Sequence, residues 1–218
     1  MNRRIPAIAA ALVTGASLFL TACGGSNGNN TSQGKSADDG TKAPAASTSA
    51  PASASARATR PNIQLPQSFQ LNFQNWTSSD PDEQSVLNDG KQQVRAGYAA
   101  IDANTPDASY LTFYDTASGL SQDKEWINTY TGKNLAVLGK APVYDAKARL
   151  LGANRTRAVL NYCMDESKAY TKERKTGKIE GNPVGTDPTV FYTSTLRKSS
   201  QGIWQTVSTS SKRGGCPS

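Results

Sequence analysis

A chain of 218 residues with 24 Lys and Arg, 17 Asp and Glu, and a formal charge of +7 has room for one ordinary domain with a real core. It contains no histidine, which excludes Ser-His-Asp and Cys-His catalysis and the common zinc sites. The Lys and Arg are dispersed rather than interleaved with aromatics on one element, so no nucleic-acid partner is expected; the Lys172–Lys175 cluster and Lys212-Arg213 read as solvated surface charge.

The first four residues carry Arg3 and Arg4, and residues 5–20 are uncharged and mostly apolar. A basic head followed by a short apolar run is the pattern of a secretory signal, and roughly 16 residues fall short of the 20 or so that span a bilayer. The run ends in Leu20-Thr21-Ala22-Cys23 and two glycines. This exit resembles the lipobox of bacterial lipoproteins, which implies cleavage after Ala22 and acylation of Cys23, palmitate being a typical chain. Two or three acyl chains, at about 0.8 kcal/mol per buried CH₂, anchor a protein stably. The expected place is therefore the outer face of the cytoplasmic membrane, lipid-anchored and extracellular, with the bilayer as first partner. Removal of 1–22 takes two arginines, so the charge falls from +7 to +5.

Residues 24–60 contain no Leu, Ile, Val, Phe, Tyr or Trp. Such a segment cannot offset the entropy of ordering, so 23–60 reads as a disordered tether spanning roughly 35 Å as a coil. Residues 61–218 form the domain. Phe69, Leu71 and Phe73 alternate with polar residues as in a strand. Ser79-Asp80-Pro81-Asp82-Glu83 begins a helix with a capping side chain, a Pro in the first turn and acids at the positive dipole end, and Leu87, Val94, Tyr98 and Ile101 share its apolar face. Gly90 and Gly97 weaken that helix by about 1 kcal/mol each relative to Ala. A short helix over 109–114 and another over 119–130, ending near Gly132, follow. Strands are expected over 143–150, with Tyr144, Ala146, Ala148 and Leu150 on one face, over 156–165, 189–198 and 203–209; 168–188 reads as a loop. Helices first and a strand meander after them argue an α+β domain with a curved antiparallel sheet.

With Cys23 acylated, Cys163 and Cys216 remain, and outside the cell such a pair is expected to form a disulfide. Closing a loop of roughly 54 residues stabilises a fold by about 4 kcal/mol. Two distant cysteines without histidine make a poor metal site, and nothing lowers either thiol pKa, so neither a metal nor a nucleophilic Cys is expected. Among carboxylates, Asp165 and Glu166 at a strand end are weak catalytic candidates that would act if one faced a pocket; paired with Arg213 they would be surface acids. Asp102, Asp107, Asp115 and Asp123 read as caps and solubilising charge. Tyr98, Tyr110, Tyr114, Trp126, Tyr162, Tyr192 and Trp204 read first as core and second as a pocket lining.

Together the lipobox, the tether, the helical half, the strand Ala158 to Ser167 carrying Cys163, the Gly202-Ile203-Trp204 hairpin and Arg213-Gly214-Gly215-Cys216 resemble secreted actinobacterial lipoproteins with an NTF2-like (SnoaL-like, cystatin-like) domain. Tyr162 stands where members of that family often have Asp. The resemblance implies a cone of three helices wrapped by a bent sheet, a fold shared by isomerases, dehydratases and binding modules, without a cofactor. Three functions are compatible with the sequence. The first is a non-catalytic binding or interaction domain tethered to the membrane, taking a small apolar ligand or an envelope protein. The second is an isomerase or dehydratase using a pocket carboxylate, and the third is a dimerising scaffold of a wall-assembly or transport complex.

Overall fold

The structure is a computed structural model and describes residues 59–217. The expected signal peptide, the lipobox with Cys23, and all but the end of the tether lie outside the described residues. The described chain runs β1 (Phe69–Phe73), α1 (Pro81–Asp102), α2 (Ser109–Tyr114), α3 (Ala117–Thr131), then β2 (Leu135–Leu151), β3 (Arg157–Asp165), β4 (Lys168–Glu173), β5 (Ile179–Glu180), β6 (Thr189–Lys198) and β7 (Trp204–Arg213). No described helix is long and apolar enough to cross a membrane.

One sheet in the order β5-β4-β2-β3-β6-β7 curls around the helices, and β1 adds to β2 in parallel. All other pairings are antiparallel. This is the α+β domain, helices packed on a curved antiparallel sheet, that the sequence predicts. The 17-residue strand β2 is its spine: its first half pairs β4 and its second half β3. The predicted loop over 168–188 therefore holds β4 and β5, and the sequence hid them because Lys168–Glu173 alternates only between half-buried and exposed positions.

Helix α1 starts as its sequence predicts. The Asp80 carboxylate accepts from the Asp82 and Glu83 amides, with Pro81 and two acids in the first turn. Leu87, Val94, Tyr98 and Ile101 are buried together. Gly90 and Gly97 prove to be docking points: a Cβ on Gly90 would lie 2.3 Å from Leu160, and one on Gly97 would lie 2.6 Å from Trp126. The helix-propensity loss at these positions admits the sheet on one side and α3 on the other.

The predicted face of β2 needs a correction. Asp145 has a positive φ of 52° and interrupts the register between Tyr144 and Lys147. This bulge puts Val143 and Ala146 inward and turns Tyr144 outward, so Tyr144 does not share a face with Ala146. A second irregularity, between Thr195 and Leu196 against β7, bends the opposite side of the sheet.

Two fastenings close the cone. Asp89 on α1, fully buried, accepts from the Trp204 amide at 2.9 Å and pairs with Arg60 at 2.5 Å. Its pKa is raised by burial, against the pull of the Trp204 amide and Arg60. Cys163 and Cys216 lie at disulfide distance, Cα atoms 5.9 Å apart, which ties the end of the chain to the sheet.

Asp89→Ala leaves the Trp204 amide and Arg60 without their shared acceptor and should cost about 3 kcal/mol in urea unfolding, whereas Asp89→Asn, which keeps an acceptor oxygen, should cost less. Reduction of the Cys163–Cys216 pair should lower stability by roughly 4 kcal/mol if the loop-entropy argument holds.

Candidate functional site

Between the inner face of the sheet and helices α1 and α3 lies a cavity of about 230 Å³. Its apolar wall is Val94, Tyr98, Trp126, Met164 and two tyrosines on adjacent strands, Tyr162 and Tyr192. These two are direct cross-strand partners and stack at 4.9 Å with 12° between their planes. Tyr98 meets Trp126 edge-on at 5.3 Å. A cavity of about 150 Å³ holds benzene, so this one has room for a ring with small substituents.

The polar end of the cavity is built from α1, α3 and β7. Asp123 and Gln93 line it, with Gln122, Thr209 and Ser211 alongside. The Gln93 side-chain amide donates to Asp123 Oδ2 at 2.6 Å and reaches Asp115 Oδ1 at 3.5 Å. Asp115 and Asp123 are both buried, which corrects their reading as caps and solubilising charge. Position relative to helix ends misled because the α3 face carrying Asp123 is pressed onto α1. Asp115, just before the α3 N-cap Thr116, bridges to Thr206 on β7.

The close approach of α3 to β7 holds Asp115 in place. A Cβ on Gly119 would meet the Thr206 carbonyl at 2.2 Å, so only glycine fits. The Gln122 side chain then pairs with β7 as a strand would, donating to the Thr209 carbonyl at 2.7 Å and accepting from its amide at 2.8 Å.

Burial raises both acid pKa values. Asp115 is pushed up to about 9, by burial and then by the charge of Asp123. Asp123 is raised to about 6 by burial, against the stabilising bonds from Gln93 and from Asp115. Gln93 reaches both carboxyls, and the Asp115 Oδ2 atom is buried without a hydrogen-bond partner. Burial also raises the Tyr98 and Tyr162 phenols well above their ordinary value, so they stay protonated, and Tyr98 Oη donates to Met164 Sδ at 3.2 Å.

The two weak sequence candidates lie elsewhere. Glu166 pairs with Arg213 at 2.6 Å, and Asp165 accepts from the Ser167 amide at 2.8 Å. Glu166 borders a second, smaller cavity of about 100 Å³ on the other side of Tyr98, lined also by Phe69, Tyr130 and Tyr170. Of the predicted aromatics, Tyr98, Trp126, Tyr162 and Tyr192 line the main cavity, Tyr110 packs half-buried against the core, and Tyr114 and Trp204 are fully buried. Among the described residues no three His, Cys, Asp or Glu side chains cluster as metal ligands.

No protein-family model matches the chain, and no curated protein does. Several solved structures follow a similar chain course. An NTF2-like superfamily protein from Salmonella enterica serovar Typhimurium is 16% identical, covering 58% of this chain and 89% of its own, with a TM-score of 0.40. A ketosteroid isomerase-like protein from Erwinia carotovora atroseptica is 15% identical over 58% of this chain and 94% of its own, with a TM-score of 0.37. The intermembrane space region of the chloroplast protein ARC6 is 12% identical over 59% and 95%, with a TM-score of 0.41. Likenesses of this size fix neither family nor activity.

The raised acids have a consequence for stability. The folded state keeps protons that the unfolded chain releases near pH 4, so the pair's contribution to stability is fully present below that pH. It is lost as the pH rises toward about 9, the value for Asp115. Urea unfolding at successive pH values should show this decline, and Asp115→Asn, which does not ionise, should flatten its upper part.

Proposed function

We propose that this chain is an exported lipoprotein, anchored through acylated Cys23 at the outer face of the cytoplasmic membrane, whose cone binds a small, flat, largely apolar molecule and transfers a proton on it. The observation that carries the reading is the pair of buried acids Asp115 and Asp123, both reached by Gln93, at the end of an aromatic cavity. Paired titratable groups whose surroundings drive their pKa values apart are the usual basis of acid–base assignment.

Asp123 lines the cavity whereas Asp115 does not, so Asp123 is the base that takes a proton from a ligand carbon. The Gln93 amide donates to Asp123, which fixes its orientation and stabilises its ionised form, and the same amide reaches Asp115. The Tyr98 phenol is protonated and spends its hydrogen on a thioether, a weak acceptor, so a ligand oxygen can take that bond instead. Base on one side and hydroxyl donor on the other is the pattern of isomerisation or dehydration next to a carbonyl.

The reading of the chain as a dimerising scaffold would be favoured by an apolar outer sheet face. The exposed positions there include Lys147, Arg149, Arg157, Thr195, Arg197 and Ser208, so that support is lacking.

The test is deuterium exchange. Small cyclic and aryl ketones incubated with the chain in D₂O should incorporate deuterium, read by mass spectrometry, and Asp123→Asn should slow this by about a hundredfold or more. Ligands that perturb Trp126 fluorescence yet exchange equally with both proteins would make the cone a non-catalytic binding module. Intact mass of the chain extracted from membranes tests the anchor separately: residues 1–22 should be missing and the mass of acyl chains added.

A further inference from the structure

The outer face of the sheet holds a cluster of cations for which the fold supplies no counter-charge. Lys147 and Arg149 sit two apart on β2, so both point outward on the exposed side, as does Arg157 on β3 and Arg197 on β6. Arg157 and Arg197 are direct cross-strand partners, and Arg149 opposes Val159, one diagonal step from Arg157. Like charges placed opposite each other on a sheet repel. Among the described residues none of the four takes part in an ion pair, and no side-chain hydrogen bond holds them. Between them lie Val159, Asn161, Thr193, Thr195 and Ser208, none of which is acidic.

The cluster occupies one end of the sheet. It lies beside the β2–β3 and β6–β7 turns, joined where the Lys198 amide donates to the Thr156 carbonyl at 2.8 Å. The acids at that end are already engaged: Asp80 and Asp82 with Arg155, and Asp82 also with Lys198. Asp145 stands at the bulge two residues before Lys147 without an ion pair to it, and Asp165 stands at the far end of β3.

The described chain enters the domain at this same end. Arg60 pairs with Asp89, whose other oxygen holds the amide of Trp204, the first residue of β7 after the turn. Arg197 pairs with Gln205, the next residue along. The described chain thus begins at the end of the sheet that carries the cations, on its helix side.

We infer that the basic end of the outer sheet face, formed by Lys147, Arg149, Arg157 and Arg197, docks on an anionic phospholipid surface and lays the domain against the bilayer. The inference rests on the anchoring at Cys23 proposed above and is independent of the chemistry in the cavity. Charge complementarity supplies the partner: arginine forks match phosphate oxygens, and the hydroxyls and amide between them add donors. Attraction of this kind acts only within about a Debye length, some 8 Å at physiological salt, so the tether is what makes it effective.

The full-length lipidated protein, reconstituted into vesicles of phosphatidylcholine or of phosphatidylcholine and phosphatidylglycerol at three to one, tests this directly. Modification of arginines by phenylglyoxal and of lysines by acetylation is read residue by residue by mass spectrometry. Arg149, Arg157, Arg197 and Lys147 should react several-fold more slowly on the anionic vesicles, and high salt should remove the protection. Lys172 and Lys175, at the other end of the sheet, should react alike on both. The triple variant R149Q/R157Q/R197Q changes only exposed side chains; on anionic vesicles its tryptophans should transfer less energy to a dansyl-labelled headgroup than those of the wild type. Equal reactivity on the two vesicle types, or protection indifferent to salt, overturns the inference. Should intact mass show no acyl chain, the anchoring reading fails by itself, and the docking face is then judged by flotation of the unlipidated chain with anionic vesicles, failure to float refuting it.

Discussion

The cavity exists because the sheet bends, and the sheet bends at two irregularities in its ladder. At Asp145 one extra residue enters β2 against β3, and between Thr195 and Leu196 the register against β7 slips. Each raises the local twist. A flat sheet would lie against one side of α1, whereas this one wraps it, so that β3, β6 and β7 face α1 and α3 across an enclosed space. Val143 and Ala146 point into the core on either side of the extra residue, which shows how tightly the inside of the bend is packed.

Around that constraint the helices are fitted by small residues and fastened by polar ones. Gly97 lets Trp126 close the cavity, and Gly119 lets α3 reach β7. Thr116 and Gln122 satisfy the backbone of β7 along its outer edge, a strand edge that would otherwise be open to another chain. The same contact delivers Asp115 and Asp123 to one place. Their burial is thus a by-product of covering a sheet edge, and it is also what moves their protons into the neutral range. Structure and chemistry share one contact here.

The charges divide by location in a comparable way. Inside the cone the lining includes no lysine or arginine, and the carboxyl pair sets the potential. Outside, one end of the sheet carries Lys147, Arg149, Arg157 and Arg197 without an ion-pair partner among the described residues. The two regions belong to opposite faces of the same strands, a consequence of side chains alternating across a sheet: Leu160 and Tyr162 point in where Arg157 and Asn161 point out.

The sequence by itself determined the elements whose signals are local. The Asp80 cap with Pro81 made the start of α1 legible, and the alternation from Ala158 to Met164 did the same for β3. The two remaining cysteines allowed a single pairing, and the order of helices first and strands after carried the α+β reading. The bulge at Asp145 was not legible, because an aspartate with positive φ differs from a surface aspartate only in what packs beside it. Nor were β4 and β5, whose polar alternation matches that of a loop. The candidate site was legible only in its aromatics. Asp115 and Asp123 stand eight residues apart at the edge of and within a helix, and their meeting needs Gln93 from α1, a residue 22 positions from one and 30 from the other. Burial is a property of the assembled faces, set by which helix lies on which strand, so the residues that carry the raised acids were fixed only when the sheet closed on the helices.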